Sequence, residues 1–356
     1  MTLNMVPSSQ TRRSTITDVA RLAGVGKVTV SYVLSGQGKS ARISEKTEQR
    51  VREAAAELNY RPNAVARMLV TRRTEMIAVV LQRGSYFTRW SGFTTELLRG
   101  VSTAAVERGY DIVLHTQEIA PDREADKLAD GRVDGALVLR DLDDPVVNDL
   151  GERGFPCVRF FSRSDDANTA FVDADNYNGA KLAVQHLLDL GHRNIAMVRG
   201  GDRSSSSTDR HRAYVDLMDQ QEDVQARVLQ IFSGQSDFQP LRDLMLSEDP
   251  PTALFVWSDE VALGCMSVLR EMAIRVPDDV SIVGFDSIPE CARAVPPLTS
   301  VGQPVFEMAQ EATRLLIDLI SGAEVANRQC LFPLVLDVRG STAAVRSQSY
   351  TTRWIP

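Results

Sequence analysis

Cysteine, histidine and long apolar runs are all scarce in this chain, and each shortage excludes something. The four cysteines, Cys157, Cys265, Cys291 and Cys330, lie far apart beside apolar residues. They fit neither a disulfide framework nor a zinc cluster, and they suit buried thiols in a reducing compartment. The four histidines, His115, His186, His192 and His211, show no ligand spacing, so they read as structural or surface groups and no metal is expected. No apolar run approaches the ~20 residues of a membrane span. The N-terminal stretch has no long apolar core, so no export signal is expected and a cytoplasmic location is. A GlyXaaSerXaaGly elbow, a HisGluXaaXaaHis pair and a dinucleotide fingerprint are all missing. The chain therefore reads as no enzyme, with no catalytic residue and no cofactor.

One near miss needs weighing. Gly24-Val25-Gly26-Lys27-Val28-Thr29 resembles a phosphate-cradling loop, which needs a glycine at position 21 and Ser or Thr directly after the lysine. Those positions hold Arg21 and Val28, and a helical pattern rather than a strand precedes. The nucleotide-binding reading is rejected.

What is present is strongly segregated. At 356 residues, 43% hydrophobic and 24% charged, the chain is a globular protein of two or three domains. Net charge is −7, yet residues 1–73 hold 13 Lys/Arg against 5 Asp/Glu and the remainder holds 27 against 42. A basic head of +8 on an acidic body of −15 is expected where only the head meets phosphates.

Residues 1–13 are polar and read as a disordered arm. Residues 14–60 read as a helix-turn-helix domain. Thr17 is expected to cap a first helix whose apolar face is Val19, Ala20, Leu22 and Ala23. Gly24 ends it, because glycine tolerates the left-handed backbone of a helix C-cap. Lys27–Leu34 forms a second helix with Val30, Val33 and Leu34 inward. Two helices joined by a short glycine turn present the second to the DNA major groove. Ser44 caps a third, Glu45–Leu58, with Val51, Ala54, Ala55 and Leu58 as core. Pro62 breaks that helix. Residues 61–74 read as a hinge, a short helix over Asn63–Val70 and a linker; so short a helix is marginal alone.

From residue 75 to 340 strand-like and helical runs alternate, the pattern of a parallel sheet flanked by helices. Strands are expected at Ile77–Leu81, Asp111–His115, Gly135–Leu139 and Cys157–Phe161, with helices near Thr94–Glu107, Asp122–Asp130 and Pro145–Gly151. The series then repeats with strands at Asn194–Val198, Ala226–Ile231, Ala253–Trp257 and Val280–Phe285, and helices near Tyr177–Leu190, Thr208–Met218, Phe238–Ser247 and Glu260–Met272. A helix, Pro304–Ile320, and a strand, Leu331–Val338, close the second half, and residues 341–356 form a tail. Two doubly wound halves make a cleft where the carboxyl ends of the strands meet.

The sequence resembles the lactose-repressor/galactose-repressor (LacI/GalR) family of bacterial transcription regulators over nearly its whole length. The head carries it at Thr15–Val25, Thr29–Leu34 and Ala55–Ala66; the body at Arg132–Val138, His186–Ala196, Arg275–Asp286 and Pro296–Pro304. The resemblance implies a small all-α helix-turn-helix head on an α/β body of two lobes, the periplasmic-binding-protein-like arrangement. It also implies a homodimer, a palindromic double-stranded operator and a small-molecule effector, a sugar or related metabolite, in the cleft.

Residue by residue, the resemblance implies that Lys27, Val28 and Tyr32 meet base edges, Lys27 donating to guanine O6 or N7 and Val28 touching a thymine methyl. Tyr32 stands where arginine is common in the family, so the family's usual operator base is not expected opposite it. The other reading of Val28 and Tyr32 is packing within the head. Thr17, Thr29 and Ser31 match phosphate-holding positions. Leu69 matches the hinge leucine that wedges into the minor groove, with Ala66 and Val65 at the contact between paired hinge helices. Arg210 and Asp286 match the effector-binding pair, Arg163 a further pocket arginine, and Ser258 follows a strand into the cleft. Phe93 and Trp257 offer stacking faces for a sugar ring, against the alternative of core packing. The run Ser204–Thr208 reads equally as cleft lining or as a loop and helix cap. Two other classes remain for comparison: a solute-binding protein, which shares the body's fold but needs no basic head, and an enzyme, for which no motif exists.

Overall fold

The computed structural model describes residues 14–34, 41–61, 68, 71–81, 92–117, 119–141, 144–201, 204–221, 226–232 and 237–345. It divides into two compact units, Met1–Arg73 and Thr74–Pro356.

The head is built of α1 (Ile16–Ala23), α2 (Lys27–Leu34) and α3 (Glu45–Glu57). Its core is Val19, Ala20, Ala23, Val30, Val33, Val51, Ala54 and Ala55. Thr15, not Thr17, caps α1. Thr15 has the extended backbone that a cap requires, φ −109° and ψ 163°. Its Oγ1 accepts from the Asp18 amide at 3.4 Å, and the Asp18 carboxylate accepts from the Thr15 amide at 3.0 Å. This reciprocal box satisfies two backbone donors, and it leaves Thr17 exposed inside the helix. Leu22, expected inward, is 47% exposed. Gly24 takes the left-handed conformation, φ 64°. Ser44 caps α3 by accepting from the Thr47 amide at 3.3 Å.

The body holds two six-stranded sheets. The first has the order β2-β1-β3-β4-β5-β11, from β1 (Met76–Val80), β2 (Asp111–His115), β3 (Gly135–Val138), β4 (Cys157–Phe160), β5 (Phe171–Ala174) and β11 (Gln329–Phe332), all parallel. Its helices are α4 (Gly92–Glu107), α5 (Pro121–Leu128), α6 (Val146–Glu152) and α11 (Val305–Ser321). The second sheet repeats the order as β7-β6-β8-β9-β10-β12, from β6 (Ile195–Arg199), β7 (Arg227–Gln230), β8 (Ala253–Val256), β9 (Ser281–Asp286), β10 (Thr299–Gly302) and β12 (Val335–Asp337). Only β12 runs antiparallel. Its helices are α7 (Asn176–Asp189), α8 (Ser205–Met218), α9 (Gln239–Met245) and α10 (Asp259–Glu271). Strands covered on both faces need no alternation, which is why β1, β3 and β8 are unbroken apolar runs.

Three expectations are corrected. Strands β5 and β10 are additional to those expected. The run expected as one strand, Leu331–Val338, is two, parted at Pro333-Leu334, and each joins a different sheet. The helix expected to close the second half, now α11, packs in the first lobe, where Val305, Met308, Ala309, Ala312, Leu315, Leu316 and Ile317 join the β1, β3 and α4 core. Gly100 of α4 permits that packing, since a Cβ there would lie 2.7 Å from the Ala309 methyl. The chain thus crosses between lobes three times: after β5, after β10 at Gln303-Pro304, and after β11 at Pro333-Leu334. The cysteines are all free, Cys265 and Cys291 buried and Cys157 and Cys330 half-buried.

Candidate functional site

In the head, packing of Val30 and Val33 inward turns the opposite face of α2 outward. Lys27, Val28, Ser31 and Tyr32 are exposed and Thr29 is half-buried. Val28 is 67% and Tyr32 41% exposed, so neither belongs to the head core. An exposed apolar residue four positions from an exposed aromatic makes one outward stripe on the helix. Leu69 and Ala66, with Val65, lie outside the described residues.

In the body, the sites expected in the cleft converge on the carboxyl ends of the strands. Arg210 on α8 is buried. Its Nε and Nη2 donate to Asn176 Oδ1 at 2.9 and 2.8 Å, and Nη1 donates to the Trp257 carbonyl. The guanidinium lies 3.5 Å over the Phe285 ring. Burial lowers its pKa, while Asp286, Asp173 and Asp259 support the charge. Asp286 ends β9 and accepts from Gln303 Nε2 at 2.5 Å. Desolvation pushes its pKa up to about 7; Arg210 pulls the other way and Asp259 adds to the rise. Asp286 and Ser287 at the end of β9, and Phe161 at the end of β4, have φ of 117°, 51° and 56°. Positive φ at non-glycine residues is strained and persists where surrounding structure holds it.

Arg163, in the loop after β4, pairs with Asp209 of α8. Its Nε lies 4.0 Å from Asp173 Oδ2. Asp173, next to last in β5, has no exposed surface. Its Oδ1 accepts from the Ala174 amide at 2.8 Å and from Asn176 Nδ2 at 3.2 Å, and burial raises its pKa to about 6. Asp209 also accepts from Arg212 at 3.1 Å.

The remaining expected residues have more structural surroundings. Ser258 caps α10, accepting from the Val261 amide at 3.5 Å. Trp257 donates from Nε1 to the Ile231 carbonyl at 3.0 Å, and one face lies on Gly200, where a Cβ would come within 2.8 Å of the ring. Phe93 is half-buried, touches the apolar cores of both lobes, and packs 4.9 Å from the Phe161 ring. Within the serine run, Ser204 is the N-cap residue of α8 with no side-chain capping bond, and Ser205 and Ser207 are buried. A shallow groove beside α5, lined by Ile119, Ala120, Arg123, Asp126, Lys127 and Asp130, includes none of these residues. Three histidines have structural surroundings: His192 contacts Thr252, Ser281 and Ala343, His186 contacts Thr342, and His115 lies 3.3 Å from Glu124.

Sequence reasoning missed Asp173, Asn176, Asp209 and Gln303; it places Asp259 beside Ser258 at the carboxyl end of a strand. Asp259 is structural: its carboxylate accepts from Ser300 Oγ at 2.6 Å and the Ile288 amide at 2.9 Å, and it sits against Gly284, where no Cβ fits. A signal for Asn176 and Gln303 existed in hindsight, since both flank a crossing between lobes. Asp173 Oδ2, Ser205 Oγ, Ser207 Oγ and Gln303 Oε1 are buried and make no hydrogen bond within the protein. Such groups cost about 1–3 kcal/mol each unless something answers them.

Residues 15–63 match the family described as bacterial regulatory proteins, lacI family, and residues 184–342 match the periplasmic binding protein-like domain. The HTH-type transcriptional regulator CelR of Thermobifida fusca is 36% identical over 87% of this chain and 93% of its own. The chain belongs to the LacI family. It is thus a DNA-binding transcriptional regulator with an effector-binding body, and not an enzyme. The HTH-type transcriptional repressor PurR of Actinobacillus pleuropneumoniae serotype 3 is 31% identical over 86% of this LacI-family chain and 91% of its own. Among solved structures, the CelR–cellobiose complex is 33% identical with a TM-score of 0.68, covering 92% of this chain and all of that one, 100%. The lac repressor dimer bound to operator and the anti-inducer ONPF is 26% identical with a TM-score of 0.79, covering 94% and 100%. Among the described residues of this LacI-family regulator, no helix is long and apolar enough to cross a membrane.

Proposed function

We propose that this regulator is a cytoplasmic homodimeric repressor whose hold on a palindromic operator is set by a neutral sugar, of the cellobiose class, bound between the lobes of its body. The observation that carries the effector's chemistry is the set of buried, unanswered polar atoms at Asp173, Ser205, Ser207 and Gln303, beside an arginine fork and several carboxylates. Carboxylates Asp173, Asp209 and Asp286 accept from hydroxyls and repel an anion, while Arg163 and Arg210 donate to them. A polyol meets both needs, and a phosphorylated or carboxylated ligand meets one. The CelR complex with cellobiose supports the class. Phe93 and Trp257 supply apolar faces to the ring, and Ser258 backs the floor.

In the head, Lys27, Val28 and Tyr32 read base edges, while Thr17, Thr29 and Ser31 hold phosphates. Leu69 wedges into the minor groove at the operator centre and Ala66 meets its counterpart on the paired hinge helix. Effector and operator are coupled because the sugar binds one state of the body better than the other.

Calorimetry with cellobiose, glucose and a sugar phosphate, with gel shifts on palindromic and random DNA at fixed salt, tests the reading. Cellobiose is expected to bind more tightly than the phosphate and to change operator affinity. Binding of neither neutral sugar, or no preference for the palindrome, would sink it.

A further inference from the structure

The two lobes touch directly across the cleft. Ser206 Oγ of α8 donates to the Phe161 carbonyl of the first lobe at 3.3 Å, Phe93 packs on both cores, and Gly92 of α4 lies against Pro289 and Glu290 of the second lobe. The charged contact in this set is Arg163 of the first lobe with Asp209 of the second. Arg163 has another carboxylate within reach on its own lobe: Asp173 Oδ2, 4.0 Å from its Nε and without a hydrogen bond. The bound partner and the waiting partner sit on opposite sides of the cleft.

We infer that Arg163 is a positioning residue with two seats, Asp209 when the lobes are shut and Asp173 when they part, and that the balance between the seats sets the body's affinity for its effector. In either state each carboxylate keeps at least one hydrogen-bond donor. When Arg163 leaves, Asp209 keeps Arg212, bonded at 3.1 Å and itself lying 4.8 Å over the Tyr177 ring of α7. When Arg163 stays, Asp173 keeps its bonds from the Ala174 amide and Asn176. Removing one partner of a buried pair is costly mainly because the other is stranded; here each is provided for. Two discrete arrangements of comparable energy are what a hinge-closing protein needs in order to respond to a ligand. Asp209 further ties the choice to the site, because it adjoins Arg210 on the same helix and Asp173 contacts Asn176, the residue that holds the Arg210 fork.

The inference rests on the sugar-cleft reading for its effect on affinity, but not for its effect on closure. Spin labels placed on surface positions of the two lobes would report their separation in the full chain without any sugar. Asp209→Asn is expected to lengthen it and Asp173→Asn to shorten it. Both shifts should vanish in an Arg163→Gln background, since removing the shared partner removes the coupling. Cellobiose affinity should fall in both variants, since each carboxylate also meets the sugar, and by about tenfold more in Asp209→Asn, within the usual range of coupling between sites. Thermal unfolding confirms that each variant is folded. Unchanged separation in both variants, or shifts of the same sign, overturns the two-seat inference. Should the wild type ignore every sugar while the separations move as expected, the effector reading fails and the switch stands.

Discussion

Asp173→Asn offers a test of the cleft's electrostatics through stability alone. Burial raises Asp173 to about 6 from the usual aspartate value of about 3.9. The folded protein therefore binds this proton more tightly than the unfolded chain, and the stability contributed by the group falls as pH rises through that window. Below about pH 4 the carboxyl is protonated in both states and the penalty vanishes. Above about pH 6 it is complete, and two pKa units correspond to about 3 kcal/mol. Asparagine keeps the Oδ1 acceptor for the Ala174 amide and Asn176 Nδ2, and it carries no charge to bury. The variant should match the wild type near pH 4 and exceed it progressively toward pH 7. With a body of this size, about 3 kcal/mol corresponds to a rise in melting temperature of about 5 °C or more. Melting curves of both proteins across pH 4 to 8 decide the matter. A difference that does not depend on pH, or a variant that melts lower at pH 7, would refute the claim that Asp173 is buried at the expense of its charge.

In the head, Thr15→Ala should cost about 1 kcal/mol by removing the α1 cap, seen as faster amide exchange along Ile16–Ala23. Thr17→Ala should change that exchange by less than about 0.5 kcal/mol while weakening DNA binding. Gly200→Ala should force the Trp257 ring aside, costing about 1–3 kcal/mol by overpacking, with a shift in tryptophan emission and weaker sugar binding. Lack of any emission change would mean that the ring does not rest on Gly200. Val28→Ala, at an exposed position, should leave the melting curve in place and reduce discrimination between operator and random DNA by about 1–3 kcal/mol, as loss of a base contact does.

Local chemistry made the head legible. A glycine turn, caps and a short apolar stripe carry their own reasons, and the error at Thr17 was a choice between two hydroxyls two residues apart. Only the reciprocal bond from Asp18 separates them. In the body, long buried strands and amphipathic helices announced themselves, whereas β5 and β10 did not: four residues each, one carrying Asp173 and the other Thr299 and Ser300, offer no periodicity to read. The lobe to which α11 belongs is a question of topology, and nothing in its own stripe says which core it will meet. The same holds for the cleft. Arg210 and Asp286 stand in motifs that resemble the family, but Asp173 and Asp209 become site residues only when a strand end from one lobe is brought to a helix start from the other.

The three crossings have a consequence for how the protein is made. The first lobe is not a stretch of chain that can be completed and left behind as synthesis proceeds. Its edge strand β5 waits for β11, and the face of its sheet that packs α4 waits for α11, both of which emerge after all of the second lobe's sheet except β12. Until then the apolar surface that Met308, Ala312 and Leu316 will cover remains open in a nascent chain that already carries a finished DNA-reading head. The head's three helices form one small core of their own and can be complete hundreds of residues earlier. A chain arrested before residue 305 would thus have its DNA-reading helices without the body that regulates them, and full assembly of the two lobes waits for residues 305–337.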